Sequence, residues 1–298
     1  MTVFNIGSIN IDHLYQVDHF VRPGETMSSS SYQQVLGGKG ANQSVALAKA
    51  QADVQHIGAL NRSDQYILAQ LQEYGVNTDQ IAQLDEASGH AIIQLTPSAE
   101  NSIILYPGSN HRLTEQQIKS ALNNATKDDW VLLQNETNLV AETLEWAQQA
   151  GVKVAFNPAP MDAELTRRVL SFIDLLIVNE VEAMDLAGVD TIEEAAQILP
   201  EQYPDLAVMM TLGKEGVRYF SKAEDLQVKA FVVEAKDTTA AGDTFIGFCL
   251  AELARGASYE VAMRTACAAS AIAVTRVGAA PSIPTLDEVT EFLANQSK

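Results

Sequence analysis

The chain is short of cysteine, histidine and basic charge, and each shortage closes a class of function. Two cysteines, Cys249 and Cys267, are all that 298 residues contain, and both lie in apolar C-terminal stretches. They make no disulfide framework, so free buried thiols in a reducing compartment are expected. The five histidines (His13, His19, His56, His90, His111) show neither a His-Glu-x-x-His pattern nor clustered spacing, which argues against structural zinc. No apolar run is long enough to span a bilayer. The opening "MTVFNIGSINID" has neither a basic leader nor a cleavage-like site, so a cytoplasmic location is expected. Lys and Arg number 19 against 38 Asp and Glu, a formal charge of −19. That field repels nucleic acid and anionic lipid, and neither is an expected partner. A small anion is admitted only where N–H groups or a cation offset the field locally. The hydrolase elbow Gly-x-Ser-x-Gly is missing too.

What is present is a well-filled globular pattern, 47% hydrophobic and 19% charged. Short β-rich runs such as "TVFNIGSI", "WVLLQNE", "LLIVNE" and "LAVMMTLG" alternate with amphipathic segments of about ten residues. That rhythm predicts parallel βαβ units with helices on both faces of a sheet. Two regions break it: "ETMSSSSYQQVLGG", and "GHAIIQLTPSAENSIILYPG", which reads as two strands about a Pro-Ser-Ala-Glu-Asn turn. Neither is paired with a helix. They are expected to form a small antiparallel sheet beside the main body, a lid or a dimer edge, with strands within about 11–36 and 88–108. One α/β domain over 1–298 is the economical reading.

The strongest local signal is "AKDTTAAGDTFIGF" (235–248). Ala240, Ala241 and Gly242 are small residues at a strand-to-helix junction, where backbone N–H groups and the helix dipole favour a bound anion. Asp243 follows directly. Simple capping accounts for an acid there but not for the small residues before it. The second signal, "GGKGANQ" (37–43), is no Walker loop, because Gly40 follows Lys39 where Ser or Thr is required. It lacks the G-x-G-x-x-G spacing as well. Asn10 and Asp12 follow the first strand, and Glu136 sits at another strand end. "NEVEA" sets Asn179 and Glu182 three apart, a spacing that suits a shared helix face or a cap. "TLGKEGV" (211–217) is a glycine-flanked turn, either a hairpin or a phosphate loop.

Taken together and in order, "GGKGANQ", "NPAP", "NEVEA", "TLGKEG", "DTTAAGDTF" and "AIAVTRVGAAPSIP" resemble the ribokinase (PfkB carbohydrate kinase) family, over nearly the whole chain. The likeness is to its ribokinase branch rather than to its fructokinase or adenosine kinase branches. The resemblance implies a three-layer α/β/α fold with a mostly parallel sheet and a β lid, ATP-dependent phosphorylation of a sugar, D-ribose at its 5-hydroxyl, and a requirement for Mg²⁺ and K⁺. It implies Asp243 as the base, with Ala240, Ala241 and Gly242 as the anion hole. Asn10, Asp12, Gly38, Lys39, Gly40, Asn42 and Glu136, with Asp243, are implied for the sugar. Asn179, Thr211, Gly213, Lys214, Gly216, Gly242 and Cys267 are implied for ATP, and Glu182 for Mg²⁺. A potassium site is implied at Asp237, Thr239, Ala273, Arg276, Gly278 and Ser282, and a homodimer through the lid. A kinase for a nucleoside or another sugar and a non-catalytic sugar-binding regulator are the competing readings. The chain departs from the family pattern at Asn61 and Arg62, at Ile246 where Asn is common, and in the lid turn "LYPGSN" (105–110). The helix dipole is expected to lower the pKa of Asp243.

Overall fold

The computed structural model describes residues 1–98 and 100–296. The 97–101 turn and the 1–298 span expected from sequence include residue 99 and residues 297–298, which lie outside that set. Thirteen strands occur among the described residues: β1 (Thr2–Ile6), β2 (Asn10–Gln16), β3 (Ser31–Gly37), β4 (Asp53–Asn61), β5 (Asn77–Leu84), β6 (Gly89–Leu95), β7 (Asn101–Tyr106), β8 (Trp130–Gln134), β9 (Lys153–Asn157), β10 (Leu175–Asn179), β11 (Ala207–Thr211), β12 (Val217–Phe220) and β13 (Asp225–Val228). Nine form one sheet in the order β13-β12-β11-β10-β9-β8-β1-β4-β5. Pairing is parallel except at one edge, where β11, β12 and β13 run antiparallel. The inner strands are buried on both faces and read as continuous apolar runs, as parallel strands between two helical layers must.

Among the described residues ten α-helices cover that sheet: α1 (Lys39–Lys49), α2 (Gln65–Glu73), α3 (Glu115–Leu122), α4 (Val140–Gln149), α5 (Ala163–Val169), α6 (Glu180–Ala187), α7 (Ile192–Gln202), α8 (Ala241–Ala254), α9 (Tyr259–Ala273) and α10 (Leu286–Gln296). Alternate strand residues feed two separate cores. Val3 and Leu132 pack with α1, α8 and α9, while Phe4, Ile6, Val131 and Leu133 pack with α3, α4, α6 and α7. Helix α8 is apolar almost all round because α1 and α9 flank it within its layer.

The four remaining strands make the small sheet, β3-β2-β6-β7. It is not wholly antiparallel as the hairpin pattern suggested: β2 and β6 run parallel, from Asn10↔Gly89 to Gln16↔Leu95. Parallel neighbours need a long crossover, and the chain between β2 and β6 supplies one through β3, α1, β4, α2 and β5. This sheet therefore grows out of the carboxyl end of β1, where open α/β sheets bind ligands.

Candidate active site

One close helix crossing assembles the centre. A Cβ added to Gly247 would lie 2.3 Å from Ala46 Cβ, so α8 and α1 touch backbone to backbone there. One turn towards each N-terminus, the same crossing brings Asn42 and Gln43 of α1 against Asp243 of α8. Asn42 Nδ2 donates to Asp243 Oδ2 at 3.1 Å and Gln43 Nε2 donates to Asp243 Oδ1 at 2.9 Å. Motifs two hundred residues apart in sequence are thereby one hydrogen-bonded cluster.

Helix α8 begins in an unusual turn. Ala240 holds φ 56°, a left-handed conformation that costs a non-glycine residue roughly 1 kcal/mol. The Ala241 N–H donates to the Thr238 carbonyl at 3.2 Å, and Thr244 donates from both its N–H and its hydroxyl to the Ala240 carbonyl. Among the described residues, the N–H groups of Gly242 and Asp243 find no acceptor. They are the orphan donors of a helix start. A Cβ on Gly242 would meet nothing within 4 Å, so open space lies above those donors. That space is a cavity of about 280 Å³ walled by Lys39, Asn179, Glu182, Thr211, Gly242 and Asp243, among others.

Asp243 is 9% exposed, and burial raises its pKa above the ordinary carboxylate value. The Lys39 charge and the two amide donors oppose this without cancelling it. The expectation that the helix dipole would lower this pKa is therefore corrected. Removing most of the hydration of a carboxylate outweighs the half-charge of a helix end.

A second cluster sits below the small sheet. Glu136 Oε2 accepts from the Ser8 hydroxyl and from the Lys39 backbone N–H, the latter at 3.1 Å. Asp12 faces the same region with no hydrogen-bond donor among the described residues. Burial first, then the Glu136 charge, raises its pKa to about 6. A Cβ at Gly37 would meet Asp12 Oδ2 at 2.1 Å, so glycine there makes room for the carboxylate. Asn10 Oδ1 accepts from Asn110 Nδ2 at 2.8 Å, while Asn110 Oδ1 takes the Ile9 N–H at 2.9 Å. Gly38 caps α1 at φ 90°, and Gly40 lies against the Gly7–Ser8 backbone. Asn42 Oδ1 is buried with no partner among the described residues. Asp12 and Asn42 thus both present unsatisfied acceptors, as a site for a hydroxyl-rich ligand would.

The other implied residues distribute unevenly. Asn179 and Glu182 line the cavity and also form a complete capping box on α6, so the two readings of their spacing coexist. Thr211 lines the cavity too, whereas Gly213, Lys214 and Gly216 belong to the turn that joins β11 to antiparallel β12. Cys267 is in the α9 core, its thiol pushed up to about 12 by burial. Asp237 accepts from the Thr239 N–H and hydroxyl and from the Gly278 N–H at 2.8 Å. Burial pushes its pKa up, but those bonds more than offset it and leave it lowered. Around it, the Ala273 carbonyl takes the Arg276 N–H, the Arg276 guanidinium pairs with Glu288 at 2.5 Å, and Ser282 bonds the Ala279 carbonyl. Asn61 donates to the Asp85 and Glu86 carbonyls, which ties down the strand end where the sequence departs from the family pattern. Ile246 lines the cavity one turn into α8. Ser8, Gln43, Asn110 and Asn157 were not singled out from sequence. Each lies inside a stretch that drew notice there, Ser8 in "GSINID", Gln43 in "GGKGANQ", Asn110 in "LYPGSN" and Asn157 in "NPAP", but none was given a role.

The match to known proteins covers this whole framework. The pfkB family carbohydrate kinase pattern matches residues 2–286. A ribokinase of Haemophilus influenzae is 39% identical over 98% of each chain, and a deoxyribokinase of Salmonella typhi is 30% identical over 99% of each. The structure of Arabidopsis thaliana ribokinase complexed with ribose and ATP superposes with a TM-score of 0.86 at 29% identity, covering 98% of both chains. The chain belongs to the PfkB family of carbohydrate kinases and is a phosphotransferase with an alcohol acceptor.

Proposed function

We propose that this kinase transfers the γ-phosphoryl group of ATP to the 5-hydroxyl of D-ribose in the cytoplasm. The observation that carries the reading is the position of Asp243. Its buried carboxylate adjoins two open amides on one side and Asn42 and Lys39, from the sugar-side cluster, on the other. The sugar is held by Asn10, Asp12, Gly38, Gly40, Asn42 and Glu136, whose free acceptors suit several hydroxyl donors. A site built around such bonds rejects analogues that lack a hydroxyl by large factors. ATP lies towards Asn179 and Thr211, its phosphates facing the start of α8.

In the reaction the 5-hydroxyl donates to Asp243 and attacks the γ-phosphorus in line, and the proton passes to the carboxylate as the bond to ADP breaks. The transition state is loose, with charge on the equatorial oxygens, so positioning and electrostatics dominate. The Gly242 and Asp243 amides and Lys39 face that charge. The raised pKa makes Asp243, once ionised, a stronger base than a solvated carboxylate.

Glu182 fits Mg²⁺: its Oε2 serves the cap, and Oε1 has no partner among the described residues. One carboxylate completed by nucleotide phosphates is an ordinary magnesium environment. Bound Mg²⁺ neutralises phosphate charge. Asp237, with the backbone around Thr239, Ala273, Arg276 and Gly278 and the Ser282 hydroxyl, offers an oxygen-rich seat for K⁺ behind the α8 loop. A cation there strengthens the loop's positive field. The exposed apolar row Ile103, Ile104, Leu105 and Tyr106 on edge strand β7 supports a homodimer through the small sheet.

The decisive test is ATP consumption on a panel of pentoses, hexoses and nucleosides, in K⁺ and in Na⁺, with light scattering of the same sample. Ribose should lead, K⁺ should exceed Na⁺, and Asp243→Ala should lose turnover while ribose affinity stays within a few-fold. Faster turnover on 2-deoxyribose, as the Salmonella relative's name suggests for that protein, would replace the sugar. An active Asp243→Ala variant would remove the mechanism.

A further inference from the structure

Behind Asp243 a line of buried side chains runs across the sheet, and of them only Asn157 also lines the cavity. His56 Nδ1 meets the Ser44 hydroxyl at 2.8 Å, and Asn5 Nδ2 donates to Ser44 Oγ at 2.8 Å. Gln134 Nε2 donates to Asn5 Oδ1 at 2.9 Å and to Gln43 Oε1 at 2.7 Å. Gln43 Nε2 then donates to Asp243 Oδ1 at 2.9 Å and to Asn157 Oδ1 at 3.3 Å. Asn5, Gln43, Gln134 and His56 are all 0% exposed.

The polarity of this line is determined at both ends by main-chain carbonyls, which only accept. Asn5 Nδ2 donates to the Gly40 carbonyl at 2.8 Å, so its Oδ1 must be the atom facing Gln134. Asn157 Nδ2 donates to the Ile177 carbonyl at 2.9 Å, so its Oδ1 must be the atom facing Gln43. Between these anchors, Gln43 can satisfy its neighbours in one orientation only, with its NH₂ towards Asp243. A flipped amide would set its oxygen against a buried carboxylate, leaving buried groups unpaired.

We propose that Gln43 is a positioning residue for phosphoryl transfer, holding one carboxylate oxygen of Asp243 through an amide whose orientation is enforced by Gln134 and Asn157. This rests on the reading of Asp243 as the base. Two effects follow. The carboxylate's rotation is fixed, so Oδ2 meets the acceptor hydroxyl with no search. The donor also favours the ionised form, which works against the burial that raises this pKa. Other groups facing Asp243 are Lys39 from α1 and, across the same cavity, Glu182 from α6. The α9 residue nearest this helix start, Ser270, is uncharged and bonds the Ala241 carbonyl.

The test is Gln43→Leu in the full-length enzyme, measured as kcat, ribose KM and the pH profile of kcat/KM, beside Asp243→Asn. Loss of the donor should lower kcat about 10- to 100-fold and move the acid limb up by about one pH unit, with ribose KM within about two-fold. A lower kcat with the limb unmoved, or an unchanged enzyme, overturns the proposal. If Gln43→Leu does not fold, Gln134→Met removes the bond that orients Gln43, together with the one to Asn5 Oδ1, and leaves the Gln43 donor in place; the limb should rise by about half a unit, and an unmoved limb there overturns it equally. Near-normal turnover in Asp243→Asn would instead refute the base assignment, so the two failures are distinguishable.

Discussion

Asp12 is a carboxylate that the fold accommodates at a cost, and Asp12→Asn should expose that cost. The residue is half-buried, has no donor among the described residues, and lies near a second acid, Glu136. Its pKa rises from 3.8 to about 6, which at about 1.4 kcal/mol per pH unit gives an upper limit of about 3 kcal/mol. Residual exposure screens part of this, leaving about 1 to 2 kcal/mol. The sign follows from proton linkage. Between pH 4 and 6 the folded state binds a proton that the unfolded chain does not, so wild-type stability falls as pH rises through 6. The asparagine variant has no such dependence. Urea denaturation of both proteins at pH 8 and at pH 4.5 should show the variant gaining about 1 to 2 kcal/mol relative to wild type at the higher pH. Any packing difference is common to both pH values and cancels in that comparison. Ribose KM should rise at least ten-fold in the variant, because an amide offers one acceptor where two are needed. A stability difference that does not change with pH would refute the electrostatic reasoning.

Gly242→Ala should separate stability from catalysis. Its Cβ has free space in the empty protein and sits in a helix, so the melting temperature should hold or rise, while kcat falls at least ten-fold as the methyl enters the phosphate space; an unaffected kcat would move the phosphate elsewhere. Glu182→Gln should leave stability within about 0.5 kcal/mol, since Gln also serves a capping box. Its Mg²⁺ requirement should rise several-fold in a metal titration, and an unchanged titration would release Glu182 from the metal.

How much was legible beforehand differs from element to element. The inner strands announced themselves as unbroken apolar runs, and the start of α8 as small residues before an acid. Burial on both faces and a helix mouth each restrict local residue choice, so they leave a local trace. The parallel pairing of β2 with β6 left none, since each strand's pattern is the same whichever neighbour it takes. Asn179 and Glu182 illustrate a middle case. Their spacing indicated a helix start, but only the fold shows that the cap also forms a wall of the cavity.

By itself, the order of residues determined the layered α/β architecture, the family and many of the groups that line the cavity at the start of α8, because these depend on period, turn chemistry and motifs within a few residues of one another. Tertiary structure alone decided that Gly247 would let α8 reach α1. It decided too that Asp243 would be desolvated enough to hold its proton more tightly, and that an amide line from Asn5 would end on it. Desolvation and amide orientation are set by what surrounds a group in space, and the residues that surround Asp243 come from four distant parts of the chain.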